Sequence, residues 1–183
     1  MRYLALASFA FALCALPAGA EDKPADRGFT VGEGKIAFTA PEGWVKKEPR
    51  SRIVEAEFEV PAAKDDKATG RLTAMGAGGS VESNVERWVG QFVAAGEAVK
   101  PQTDKLTVDG AEVQIVSLQG TYKDSPAGPF AGGKTVLREN YRMLGAICAT
   151  ESGNYFLKLY GPKATIDANE KAFRSLVESM KVK

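Results

Sequence analysis

The sequence predicts an α+β fold, a largely antiparallel β-sheet flanked by helices. Three observations lead there. Runs of β-prone residues follow one another through tight turns, and two amphipathic helical patterns lie far apart in the chain, one around residues 83–93 and one around 167–180. Between them, residues 143–149 carry no charge, as expected of a central strand covered on both faces.

The chain opens on a segment that reads as processing information. Arg2, an apolar run over residues 4–16, and Ala18, Gly19 and Ala20 ahead of the acidic Glu21 form the pattern of a secretory signal peptide. Cys14 follows Leu13, not the small residue that lipoprotein processing favours, and reads as one more apolar member of the signal. Cleavage near Ala20 is expected to give a periplasmic or secreted protein that does not span a membrane once processed. Of 183 residues, 163 then remain, enough for one domain with a real core. Residues 21–34, with Pro24 and three glycines, read as a flexible lead-in, and residues 35–183 as the single domain.

The elements follow in order. A first strand around residues 35–40 meets the turn Pro41-Glu42-Gly43, and Trp44 anchors the chain over the sheet. Over residues 53–60, Val54, Ala56, Phe58 and Val60 alternate with Glu55, Glu57 and Glu59, the pattern of a half-buried strand. Pro61 ends it, and residues 71–75 return. Beyond a glycine-rich break at 76–79, Ser83 and Glu86 form a capping-box signature. Val85, Trp88, Val89, Phe92 and Val93 then share one helical face as far as Gly96. Asp109-Gly110 between β-prone runs predicts a hairpin, with the strand 111–122 beyond it. Residues 123–134, with two prolines and three glycines interleaved, predict a long loop; Tyr141 to Thr150 and Tyr155 to Tyr160 are the last strands. Ala172, Phe173, Leu176, Val177 and Met180 close the domain on a helix, with Asp167 and Glu170 early and Lys181 and Lys183 late, the order the helix dipole favours.

Charge narrows the function. There are 24 basic and 23 acidic residues and no long block of one sign, which argues against nucleic acid. The chain has no histidine, so the commonest general base, the usual catalytic triad and most transition-metal sites are absent. No Ser-x-x-Lys occurs, and Gly78-Gly79-Ser80-Val81-Glu82 fails the nucleophile-elbow pattern at its last position. Cys148 sits in an apolar run and reads as core. Neither catalytic residues nor a metal or cofactor site is expected.

Three weaker constellations remain. Glu55, Glu57 and Glu59 lie about 6.7 Å apart along one strand face, near the carboxylate spacing of inverting glycoside hydrolysis, although three glutamates in a row more simply make a solvated face. Gly78, Gly79, Ser80 and Ser83 lie between a strand and a helix, where backbone amides can hold an anion. Pro126, Pro129 and Phe130 in the long loop suit a docking tip.

One resemblance covers nearly all of the mature chain. Phe38-Thr39-Ala40-Pro41-Glu42-Gly43-Trp44, Phe58-Glu59-Val60-Pro61, Gly78-Gly79-Ser80 leading to Asn84, Arg87-Trp88 with Gln91-Phe92, and Tyr155-Phe156 with Gly161-Pro162 resemble exported planctomycete-type proteins of unassigned function. Those are similar in architecture to the PsbP-like superfamily, an α/β/α sandwich that includes the extrinsic photosystem II subunit and a nuclear Ran-binding factor. The resemblance implies a non-catalytic binding domain and transfers no functional residue. The expectation is therefore an exported, non-enzymatic interaction domain whose partner is an envelope or extracellular protein or a small ligand. The alternatives are a carboxylate enzyme acting on glycans and a small-anion or metabolite binder at residues 76–83.

Overall fold

The computed structural model describes residues 27–94, 96–125 and 134–183. The signal-like segment 1–20 and Pro126, Pro129 and Phe130 lie outside the described residues. Twelve strands and two helices are described, and every strand pair is antiparallel.

Chain order explains the two sheets. β1 (Gly28–Val31) turns back on β2 (Ile36–Thr39), and the terminal β12 (Lys181–Val182) pairs with β2 to complete a small sheet. β1 corrects the expected lead-in: Phe29 and Val31 alternate inward and are buried, so from Gly28 the chain is structured. The large sheet starts with β3 (Val45–Lys47), β4 (Ala56–Val60) and β5 (Gly70–Ala77). Next come helix α1 (Val81–Val89), β6 (Phe92–Ala94), β7 (Glu97–Ala98) and β8 (Gln102–Val108). Two long strands, β9 (Ala111–Asp124) and β10 (Val136–Thr150), precede β11 (Gly153–Pro162) and helix α2 (Lys163–Glu178). The spatial order is β3-β4-β5-β11-β10-β9-β6-β7, with β8 also pairing β9.

Several sequence signals act as expected. Asp109 and Gly110 both have positive φ, 49° and 82°, the two-residue turn that matches strand twist between β8 and β9. The charge-free run of β10 is buried on both sides: Leu144, Ala146 and Cys148 join one hydrophobic cluster, while Met143 and Ile147 join another. α2 contributes Ile166, Phe173, Leu176 and Val177 to the first cluster, and α1 contributes Trp88 to the second. Trp44 is buried and donates its indole N–H to Asn169 Oδ1 of α2 at 3.2 Å.

Two helix expectations need correction. α1 stops at Val89, because the Gly90 N–H caps Glu86 and the chain then pairs Phe92 and Val93 with Tyr122 and Thr121 of β9. Phe92 reaches the same apolar cluster from a strand that it would have reached from a helix, so its spacing alone could not separate the two. α2 begins at Lys163, so Asp167 and Glu170 lie beyond its first turn, and Lys181 and Lys183 lie past its end. Three of these charges form ion pairs instead: Arg142 Nη1 donates to Asp167 at 2.8 Å and to Glu170 at 2.7 Å, and Lys181 reaches Asp109.

Candidate functional site

Strand alternation decides which side chains meet on the α1 face of the large sheet. On β11, Phe156, Lys158 and Tyr160 point there, and Arg71 of β5 is the cross-strand partner of Tyr160. On β10, Tyr141, Met143 and Gly145 share that face. Trp88 of α1 lies so closely over Gly145 that a Cβ there would sit 2.3 Å from the ring. At nine residues α1 is short, roughly 13 Å. It covers the ground around Gly145 and Phe156 and leaves the Arg71–Tyr160–Tyr141 half of the face open.

A bulge completes the open half. Residues three apart on a regular strand point to opposite faces, yet Arg138 and Tyr141 both face α1's side. The reason is the register shift between them: Arg138 pairs with Tyr122 and Tyr141 with Gly120, so β10 carries one extra residue, with Asn140 at φ 54°. The outcome is a cleft of about 530 Å³ with Arg71, Tyr160, Tyr141, Arg138, Glu57 and Asp124 in its walls. A depression of about 610 Å³ beside the small sheet is larger but less suited to recognition: Phe29, Phe38 and Ala56 in its lining are buried in the core.

The cleft rests on a fixed ion pair. Glu57 is 2% exposed, and Arg71 grips it in a fork, Nε to Oε1 and Nη2 to Oε2, each at 2.8 Å. The Arg50 N–H adds a third bond at 3.1 Å, and Arg71 Nη1 donates to Tyr160 Oη at 2.6 Å. Burial pushes the Glu57 carboxyl upward, but the Arg71 bonds, the Arg50 amide and both positive charges outweigh it and hold Glu57 below the ordinary carboxylate range. At the rim, Arg138 Nε donates to Asp124 at 3.3 Å, and its side chain is 44% exposed.

Lys158 lies behind the tyrosines. Its Nζ is 4.8 Å from the Tyr160 ring centre and 5.0 Å from that of Tyr122, and it donates to Gln91 Oε1 at 2.5 Å and to Tyr122 Oη at 3.3 Å. Desolvation, with Arg71 and Arg87 nearby, pushes it down to about 7, against a smaller upward pull from Asp124. A neutral amine still has the two N–H groups these bonds need. In the unfolded chain Lys158 titrates near 10.5, so between pH 7 and 10.5 the unfolded state holds the extra proton and stability rises with pH. We expect Lys158→Met to remove a rise of about 2 kcal/mol between pH 7 and 9.5, after discounting for solvent screening, as read by urea unfolding at each pH. Parallel pH profiles for the two proteins would refute this assignment.

The sequence-derived candidates fall elsewhere. Glu55 precedes β4 and accepts the N–H groups of Gly32 at 2.6 Å and Gly76 at 2.9 Å, while Glu59 pairs with Lys47 at 3.6 Å. The three glutamates are thus engaged separately, and the expected solvated row is corrected at Glu57, which is buried. Gly78, Gly79, Ser80 and Ser83 stand together at the head of α1. There the Ser83 N–H already donates to Ser80 Oγ, and Asn84 Nδ2 donates to the Gly78 and Ser80 carbonyls. Cys148 is buried and free, its thiol pushed up to about 12 by desolvation. Sequence reasoning missed Tyr141, Arg138 and Lys158, since only strand register and the bulge bring them together beside Arg71.

No protein-family model matches the chain, and no curated protein matches it. Solved structures do. The solution structure of cyanobacterial PsbP (CyanoP) from Synechocystis sp. PCC 6803 aligns with a TM-score of 0.52 at 12% identity, covering 92% of this chain and 99% of that one. A protein of unknown function from Pseudomonas aeruginosa, PA94, aligns with a TM-score of 0.49 at 11% identity over 85% of this chain and 96% of its own. A Bacteroides thetaiotaomicron structure aligns at 0.45 and 10% identity, over 86% of this chain and 48% of that one. Among the described residues, no helix is long and apolar enough to cross a membrane. The mostly antiparallel sheets and two helices are consistent with an α+β chain whose fold resembles that of the PsbP-like proteins.

Proposed function

We propose that this chain is an exported, non-enzymatic binding domain built as a PsbP-like α/β/α sandwich, and that it holds its partner in the cleft between Arg71, Tyr160, Tyr141 and Arg138. One observation carries the reading. α1 leaves half of a sheet face open, and that half holds stacked and tilted tyrosines beside guanidinium groups. Aromatic and arginine side chains of this kind dominate binding energy at protein interfaces, because each presents a large contact area at low entropic cost. The signal-like residues 1–20 support export, and the absence of histidine from the whole sequence supports binding over proton-transfer chemistry.

The test is affinity capture from the native envelope with parent chain and with Arg138→Glu and Tyr141→Ala variants. Both residues lie outside the buried Glu57–Arg71 pair, so the fold is expected to survive, as far-UV circular dichroism would verify. Each variant is expected to lose most of the captured partner. Full recovery by both variants would refute the cleft as the binding region.

A further inference from the structure

Resting on the cleft as the binding region, we infer that its partner is an extended polypeptide segment that adds as a strand to the open outer edge of β10 over residues 136–140. β10 is longer than its neighbour on that side. β11 pairs with it only from Tyr141 onward, and the pairing ends at Pro162, which has no N–H and leads at once into α2. β9 pairs with the inner edge over residues 136–138, residues 139 and 140 form the bulge, and among the described residues no strand pairs with the outer edge over 136–140. An antiparallel strand presents alternate N–H and C=O groups outward, and another extended backbone satisfies such a row in register.

Side chains at the same place define the chemistry of the occupant. Leu137 is 62% and Val136 38% exposed, large apolar residues on a strand edge of the kind that proteins otherwise shield. Arg138 points to the cleft face, tied to Asp124 through Nε alone at 3.3 Å. In an added strand every second side chain would enter the cleft beside Arg138 and Tyr141, and the others would lie on the face of Leu137. The geometry thus selects a segment that alternates acidic with apolar residues. Electrostatics sets the acidic positions opposite Arg138, and burial sets the apolar ones beside Leu137.

The experiment selects linear peptides on the full chain from a random library and uses the tightest as a fluorescence-anisotropy probe. The strand model predicts a two-residue period when the probe's amides are N-methylated one at a time: alternate positions lose about tenfold in affinity and the intervening ones change little. Leu137→Asp and Arg138→Glu are each expected to weaken the probe about tenfold with circular dichroism unchanged. Hydrogen exchange of those amides at 136–140 that point away from β9 should be fast in the free chain and slow with probe bound. Selection of no peptide overturns the proposal. So does slow exchange of those outward amides in the free chain, or a dimer in sedimentation that masks this edge. A flat N-methyl profile in which Arg138→Glu still abolishes binding removes the strand and leaves the cleft; indifference to both substitutions removes both.

Discussion

Glu57→Ala is expected to destabilise the protein by about 3 kcal/mol in urea unfolding, a large effect for a residue on a strand that reads as half solvated. Alanine leaves Arg71 without the carboxylate that takes two of its five N–H groups. Because the Arg71 side chain is 26% exposed, water screens part of the stranded charge, which places the figure at the low end for a broken buried pair. The sign with pH follows from the lowered carboxyl. Its contribution is complete above the ordinary value of 4.5 and is lost as pH falls through the lower folded value. The gap between parent and variant should therefore hold steady above pH 5 and narrow below 4. A cost under about 0.5 kcal/mol at pH 7 would mean that the pair contributes no more than an exposed one.

The second large effect lies at the edge of α1. Trp88 is 4% exposed, meets the Phe156 ring edge-on at 6.0 Å, and rests on Gly145. Trp88→Ala should cost about 3–5 kcal/mol, because a cavity of indole size opens beneath a short helix. Gly145→Ala should cost about 1–3 kcal/mol for the opposite reason, since its methyl group meets the ring. The two are coupled: in the Trp88→Ala background, Gly145→Ala should become nearly neutral, because the clash is gone. Strict additivity in a double-mutant cycle would show that the ring does not rest on Gly145.

These residues also show what the sequence makes legible. The turn at Asp109-Gly110, the alternation through β4 and the charge-free stretch of β10 are local signals, set by neighbours in the chain, and the structure follows them. Glu57 is different. It alternates just as Glu55 and Glu59 do, and what distinguishes it is Arg71 of β5, which the register sets opposite Glu59 and whose side chain reaches diagonally to Glu57. The small sheet was written in Phe29 and Val31, but the glycines around them hide a strand whose partners lie at β2 and at the far end of the chain. The open cleft is less legible still. It depends on where α1 stops, where β11 stops and where β10 gains a residue. Of these only the bulge leaves a trace, an asparagine at the left-handed position that asparagine tolerates better than most residues.

The most direct measurement places a photo-crosslinking benzophenone side chain at position 138 in one variant and at Lys171, exposed on α2, in another, each expressed as the full chain in its native envelope. Irradiation is expected to give a discrete adduct from position 138 and none from 171. Adducts from 171 with none from 138 would contradict the cleft as the working face of the protein.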